Sequence, residues 1–341
     1  MFDLPEVFLH SHPGSGGGVI QCTASDAVFT AMLAAKRKAL DRFGPEAVQK
    51  LVAYTSIHAH FSIEKGARLA NVQLHSLECD DHDSLRGETL QKAIDEDKEK
   101  GLIPFFVCAS FGTTNLCAFD NCEELGAIAR DQDLWIHIDA AYAGSALVCP
   151  EFRFMMKGIE LVDSFNFNAH KWLRVNFDCS PMFVRNSIDL IKVFNADALI
   201  MKHDHQKKIP DFKDWQIPLG RRSRSLKLWM VLKSYGVSGL QDFIRNQVRQ
   251  AKLFEEMVRA DDRFEVVNDV LLSLVCFRLK GSNSLNEELN RKCNEGKDIY
   301  ITPAMAGGKF VLRFVIVSGF TEDADVKFAW DKIKKHADEL L

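Results

Sequence analysis

Apolar and polar positions follow two different periods along this chain. Short apolar runs recur at 51–54, 72–75, 103–108, 136–139 and 165–168, and each reads as a strand with at least one buried face. Between them lie stretches of helical character. One is an Ala-rich run ending near Leu40, one covers 88–100 and is closed by Gly101, and one covers 123–130. Thr23 and Ser25 suit an N-cap before the first of these, and Asp26 suits its first turn. Gly14 to Gly18 reads as a flexible turn ahead of Val19, Ile20 and Gln21. Strands alternating with helices predict a mostly parallel sheet covered on both faces.

The texture changes after about residue 200. Positions 202–215 are charged and broken by Pro210, which reads as a loop. Long helical patterns follow at 221–235 and 240–258, then strands at 264–267, 271–278 and 310–317, and a last helix at 323–340. The expected organisation is a large α/β domain over 1–200, a mobile loop and connection over 201–225, and a small α+β domain over 226–341. No internal repeat or low-complexity tract is present.

Bulk properties narrow the function. The chain has 341 residues, of which 47% are hydrophobic and 26% charged, as in ordinary soluble globular proteins. A net charge of −4 offers no field to attract nucleic acid or an anionic membrane. No apolar run approaches bilayer length, and the first residues lack a basic start and apolar core, so neither a membrane span nor a signal peptide is expected. Nine cysteines without a CxxC pair point to reduced thiols and a cytoplasmic setting. The pairs His10/His12, His58/His60 and His203/His205 have no cysteine or acid cluster beside them, so no metal site is expected.

Candidate chemistry gathers at a few strand ends. In the run from Ser164 to Trp172, Phe165 and Phe167 alternate with small or polar residues before His170 and Lys171. A lysine at the end of an apolar strand is costly unless paired or used, and burial would free its amine to attack a carbonyl. The segment from Leu134 to Ser145 runs as an apolar strand into Asp139, then into Ala140, Ala141 and Gly144, which leave room for a flat ligand. A carboxylate at such a strand end is either chemical machinery or an N-cap. A glycine-preceded helix start with Thr23 and Ser25 offers a phosphate cup. His60, just past a strand, can stack on a ring. An amine for an imine, an acid for a pyridine nitrogen and a phosphate cup together describe pyridoxal phosphate.

On these residues the chain resembles the group II pyridoxal-phosphate-dependent amino-acid decarboxylases, on the aromatic-amino-acid branch. The stretches that carry the likeness are Gly16–Gln21, 105–145, 163–178, 215–222, 274–282 and 309–313. The resemblance implies an α/β fold of the aspartate-aminotransferase type (fold type I), with a mostly parallel seven-stranded sheet and a smaller C-terminal domain. It implies that Lys171 is the Schiff-base lysine, Asp139 the acid on the pyridine nitrogen, and His60 the stacking histidine. Ala141 would pack beneath the ring. Thr23, Ala24, Ser25, Asn168 and His170 would hold the phosphate, and Thr114 would lie near the 3′-oxygen. Gly220 matches the small residue expected for aromatic substrates.

The implied activity is decarboxylation of an aromatic L-amino acid (Dopa, 5-hydroxytryptophan or tyrosine-like) by a homodimer. Two departures from the family pattern bear on it. The family's N-terminal segment, which reaches around the partner subunit, does not precede Met1 here, and this implies a weakened dimer. Ile200 stands where the family's mobile loop carries a proton-donating tyrosine. Replacement of that tyrosine goes with oxidative deamination to an aromatic acetaldehyde. A third expectation is a catalytically impaired relative that serves as a binding or regulatory subunit, against which stands the cost of keeping Lys171 buried beside Asp139.

Overall fold

The computed structural model describes residues 1–11, 14–196 and 209–341. Ile200, His203, His205 and His12 lie outside the described residues. Seven strands form the main sheet: β1 (Gly17–Gln21), β2 (Leu51–Ser56), β3 (Gln73–Leu77), β4 (Ile103–Ser110), β5 (Trp135–Asp139), β6 (Ser164–Asn166) and β7 (Ser180–Val184). Their order is β1-β7-β6-β5-β4-β2-β3. The pairs from β3 to β6 are parallel, and β7 runs antiparallel to both its neighbours. The family's mixed, mostly parallel sheet is therefore present.

Central position explains strand composition. Every residue of β2 and β5 is buried, as expected where helices cover both faces, whereas the edge strand β3 has no buried residue. Helix α1 (Ala24–Phe43) presents Ala27, Ala31, Ala34 and Ala35 to the core beside Val28 and Met32. Small side chains there let the helix lie close to the sheet. Helices α2 (Ser62–Ala70), α3 (Gly87–Glu99) and α4 (Cys122–Asp131) join successive strands, as the alternating pattern requires.

Two local expectations change, and one strand comes unannounced. The glycine-rich stretch bends at Gly14 and Ser15 as expected, but Gly17 and Gly18 already belong to β1, and Gly17 lies against an indole. A Cβ on Gly17 would stand 2.7 Å from the ring of Trp215. Strand β7 carries no alternation strong enough to announce it. The strand expected over 165–168 ends at Asn166, and Ala169–Trp172 then forms a one-turn helix, α5.

The chain divides into two compact units, Met1–Phe111 with Phe119–Gly236, and Gly112–Ala118 with Val237–Leu341. Helix α6 (Ile188–Phe194) belongs to the first unit, and α7 (Ser225–Arg259) breaks at Gly236, where φ is 64°. These compact units divide at Gly236. In the second unit, β8 (Phe264–Val266), β9 (Leu274–Leu279), β10 (Thr302–Ala306) and β11 (Lys309–Val315) form an antiparallel sheet in the order β10-β11-β9-β8. Helices α8 (Asn283–Glu295) and α9 (Asp323–Asp338) complete it, around a core that includes Phe254, Phe277 and Trp330. The Gly112–Ala118 segment is held there by Asn268, whose amide donates to the Leu116 carbonyl at 3.1 Å.

Candidate active site

Parallel register brings the ends of three strands level. Ser110 pairs with Asp139, and Asp139 with Asn166. Asp139 is the last residue of β5 and is 8% exposed. Its Oδ1 accepts the Ala141 N–H at 3.0 Å, which fixes the carboxylate and answers one of the two sequence readings: the acid caps the turn that follows it. Asn168 N–H donates to the Ala141 carbonyl at 3.0 Å, and Ala140 N–H to that of Asn166 at 3.0 Å. The small-residue turn is thus stitched to the segment that carries Lys171. Gly144 is required there, since a Cβ would stand 2.5 Å from that of Phe167.

His60 sits in the turn between β2 and α2. Its Nδ1 accepts the Ser62 backbone N–H at 3.1 Å and lies 2.8 Å from the Ser62 hydroxyl. A backbone N–H can only donate, so the proton of the neutral imidazole is on Nε2. Burial lowers the His60 pKa below its usual 6.5, the Asp139 carboxylate opposes that shift, and the Lys171 charge adds to it. Three groups from three separate elements therefore share one electrostatic neighbourhood.

Lys171 corrects an expectation. It is exposed, on α5, while Phe165 and Trp172 fill the core beside it at 0% exposure. The early end of β6 replaces alternation with helical spacing, which turns Trp172 inward and Lys171 outward. The cost of burying an ammonium does not arise here, and it is no argument against a non-catalytic role.

His170 is held in a matching way. Its Nδ1 lies 2.8 Å from the Cys179 N–H and 2.9 Å from the Cys179 carbonyl, which fixes the ring and leaves Nε2 outward, and burial lowers its pKa. Pairing of Gln21 with Ser180 brings the start of α1 beside this segment. There Thr23 spends its hydroxyl on a capping box, with Asp26 N–H donating to Oγ1 at 3.3 Å. The remaining first-turn N–H groups, of Ala24 and Ser25, point out of a 20-residue helix toward any anion at its end. Ala24 is buried and Ser25 exposed.

Pyridoxal phosphate can be tested against this set. Asn168 is 3% exposed, and its Oδ1 has no hydrogen-bond partner among the described atoms. The two ends of an amide are interchangeable by a half-turn, so this buried group can offer N–H to a phosphate. With the α1 N–H groups, the His170 imidazole, a strand-end acid and an amine, the residues fit the cofactor. Thr114 is not brought together with them in the first unit; it is exposed on the Gly112–Ala118 segment of the second.

Sequence reasoning missed a buried relay next to Asp139. Trp135 Nε1–H donates to Ser164 Oγ at 2.8 Å, Ser164 Oγ lies 2.7 Å from His137 Nδ1, and His137 Nε2 lies 2.8 Å from Asn166 Oδ1. The amide oxygen can only accept, so Nε2 carries a proton, and burial keeps the ring neutral. Burial pushes its pKa down to about 4. A histidine two positions before the acid on one strand face was the available signal. Ser62, two residues after His60, was another.

Comparison with known proteins identifies the family. A family described as the pyridoxal-dependent decarboxylase conserved domain matches residues 1–280. The chain is 49% identical to rat (Rattus norvegicus) aromatic-L-amino-acid decarboxylase, over all of this chain and 73% of that one. Among solved structures it is similar to Oryza sativa TDC with PLP and tryptamine, at a TM-score of 0.97 and 37% identity, covering 99% of this chain and 73% of that one. It is also similar to Rhodiola rosea 4-hydroxyphenylacetaldehyde synthase, at a TM-score of 0.93 and 40% identity, covering 99% and 72%.

Proposed function

Since the chain belongs to the pyridoxal-dependent decarboxylase family, a family of carboxy-lyases that use pyridoxal phosphate, we propose that it decarboxylates an aromatic L-amino acid to the amine and CO2. The observation that carries this reading is the shared neighbourhood of His60, Asp139 and Lys171. The similar rat and rice proteins support the substrate class.

Bound pyridoxal phosphate supplies the electron sink that takes up the pair left at Cα when CO2 departs. Each residue has a separate task toward it. Asp139 holds a proton on the pyridine nitrogen, and its own placement is fixed by the Ala141 N–H. Ala24 and Ser25 N–H, with Asn168 and His170, would hold the phosphate, and Ala141 would pack against the ring. The Thr23 hydroxyl serves them indirectly by starting α1. His60 presents a neutral face to the ring and Nε2–H to the substrate carboxylate. Lys171 Nζ anchors the cofactor and moves protons at Cα. Thr114 is proposed near the 3′-oxygen on the strength of the resemblance alone. At Gly220 an added Cβ meets nothing within 4 Å, so preference for a small residue there is not imposed by this chain's own packing.

Homodimerisation in the cytoplasm belongs to the same reading. It is supported by Leu226, Trp229 and Met230, each more than half exposed on the first turns of α7, and by nine cysteines that stand as free thiols. Purified protein incubated with L-Dopa and pyridoxal phosphate should yield dopamine and CO2 in equal amounts. Absence of turnover with Dopa, 5-hydroxytryptophan, tyrosine and tryptophan would refute it.

A second reading rests on Ile200 and on the similarity to the Rhodiola synthase. In it the amino acid, O2 and water give the aldehyde, CO2, ammonia and hydrogen peroxide. Oxygen uptake with aldehyde and peroxide would support it, and amine without oxygen uptake would reject it.

A further inference from the structure

Strands β1 and β7 pair with Gly17 opposite Val184 and Gln21 opposite Ser180. Extending that register by one step would set Cys22 opposite Cys179. Cysteine at both positions of such a pair is a specific coincidence, since directly opposed residues in antiparallel strands hold their Cβ atoms about 4.5–5.5 Å apart. A disulfide needs about 3.5–4.5 Å, so closure costs about an ångström of movement at a strand end. Ladder pairing stops at Gln21 and Ser180, so no ladder bond ties the two cysteines, and the Cys179 backbone is held by His170 instead.

The two thiols share a guanidinium. Arg224, only 9% exposed at its side chain, donates from Nη2 to Cys22 Sγ at 2.8 Å and from Nε to Asp178 at 3.0 Å. Its charge also acts on Cys179. Burial raises the pKa of both thiols and Arg224 lowers both, so the thiolate fraction is small at neutral pH and grows above it. Cys22 is half-buried and Cys179 fully buried. Arg224, which bonds Cys22, also lines a cleft of about 470 Å³ with Gly18, Ile20 and Ser225, and Cys22 is itself partly open to a small oxidant.

We propose that Cys22 and Cys179 form a reversible disulfide that clamps the cofactor's phosphate arm. Hydrogen peroxide oxidises Cys22 to the sulfenic acid and leaves as water. The Cys179 sulfur then attacks the Cys22 sulfur, releases a second water and closes the bond. Two thiols lose two electrons and two protons, and one peroxide receives them. A dithiol returns both electrons and reopens the site. The bond would tie the turn carrying Thr23, Ala24 and Ser25 to the segment whose Cys179 N–H holds His170. The clamping effect rests on the cofactor assignment above; formation of the bond does not.

The test uses the holoenzyme treated with hydrogen peroxide and digested without reductant. Mass spectrometry should find the Cys22 and Cys179 peptides joined and lighter by two hydrogens, with faster joining at pH 9 than at pH 7. Exchange of bound for labelled pyridoxal phosphate should slow by about tenfold after oxidation and recover with dithiothreitol. Cys22→Ser and Cys179→Ala should each load cofactor and remove both effects. Separate thiols throughout, or a joined pair with unchanged exchange, would overturn the proposal. Failure of the reduced protein to bind cofactor would instead count against the site assignment, because the mass measurement does not depend on it.

Discussion

The backbone N–H of Ser62 donates to Nδ1 of His60 across 3.1 Å, and the Ser62 hydroxyl sits 2.8 Å from the same nitrogen. A residue at the start of α2 thereby decides which face of the imidazole carries the proton. The histidine is positioned by the helix that follows it, not by the strand that precedes it.

Removal of the hydroxyl should therefore disturb catalysis without unfolding the site. Ser62→Ala keeps the backbone donor and loses one hydrogen bond, for about 1 kcal/mol, or roughly a fivefold drop in kcat/KM. The acid limb of the pH profile, set by a His60 pKa below 6.5, should move with it. A purely structural serine would change melting temperature and leave that limb in place.

His137 sets part of the acid stability. Its pKa falls from 6.5 in the unfolded chain to about 4 in the fold. The unfolded chain takes up a proton below pH 6.5 that the fold refuses, so this contribution is complete above pH 6.5. It is lost as pH falls toward 4, on the order of 3 kcal/mol in all. Urea midpoints for wild type should fall between pH 7 and pH 4.5. His137→Gln should start less stable and show a shallower fall. Parallel slopes in the two proteins would contradict this.

Asp139 acts on chemistry more than on binding. Asp139→Ala should lower kcat by roughly 10²-fold or more while the cofactor still binds. Titration of cofactor absorbance beside single-turnover rates separates the two effects, and an unchanged rate would remove Asp139 from its role.

Trp172 anchors the residue before it. Its side chain is fully buried and stacks on Tyr142 at 4.8 Å between ring centroids. Trp172→Ala should cost about 3–5 kcal/mol and loosen the turn that carries Lys171. A melting temperature close to wild type would show that α5 is held by other contacts.

Much of this was legible from residue order. The α/β alternation, the strand end at Asp139 and the capping turn at Thr23 follow from apolar period and cap chemistry, which are local. What escaped was set by distant partners. Gly17 and Gly18 looked like part of the turn because what packs on them, Trp215 and Phe183, lies far along the chain. Lys171 looked buried because Phe165 and Phe167 suggested that alternation would continue, and only the three-residue length of β6 ends it. His137 was passed over because its partners, Ser164 and Asn166, reach it through sheet pairing rather than sequence.

The central claim is that Lys171 holds pyridoxal phosphate in a site shared with Asp139 and His60. The most direct measurement is the visible absorbance of the purified protein with pyridoxal phosphate, beside Lys171→Ala. A lysine-dependent band present in wild type and lost in the variant is the predicted result. The same spectrum in both proteins, or no band in either, would contradict it.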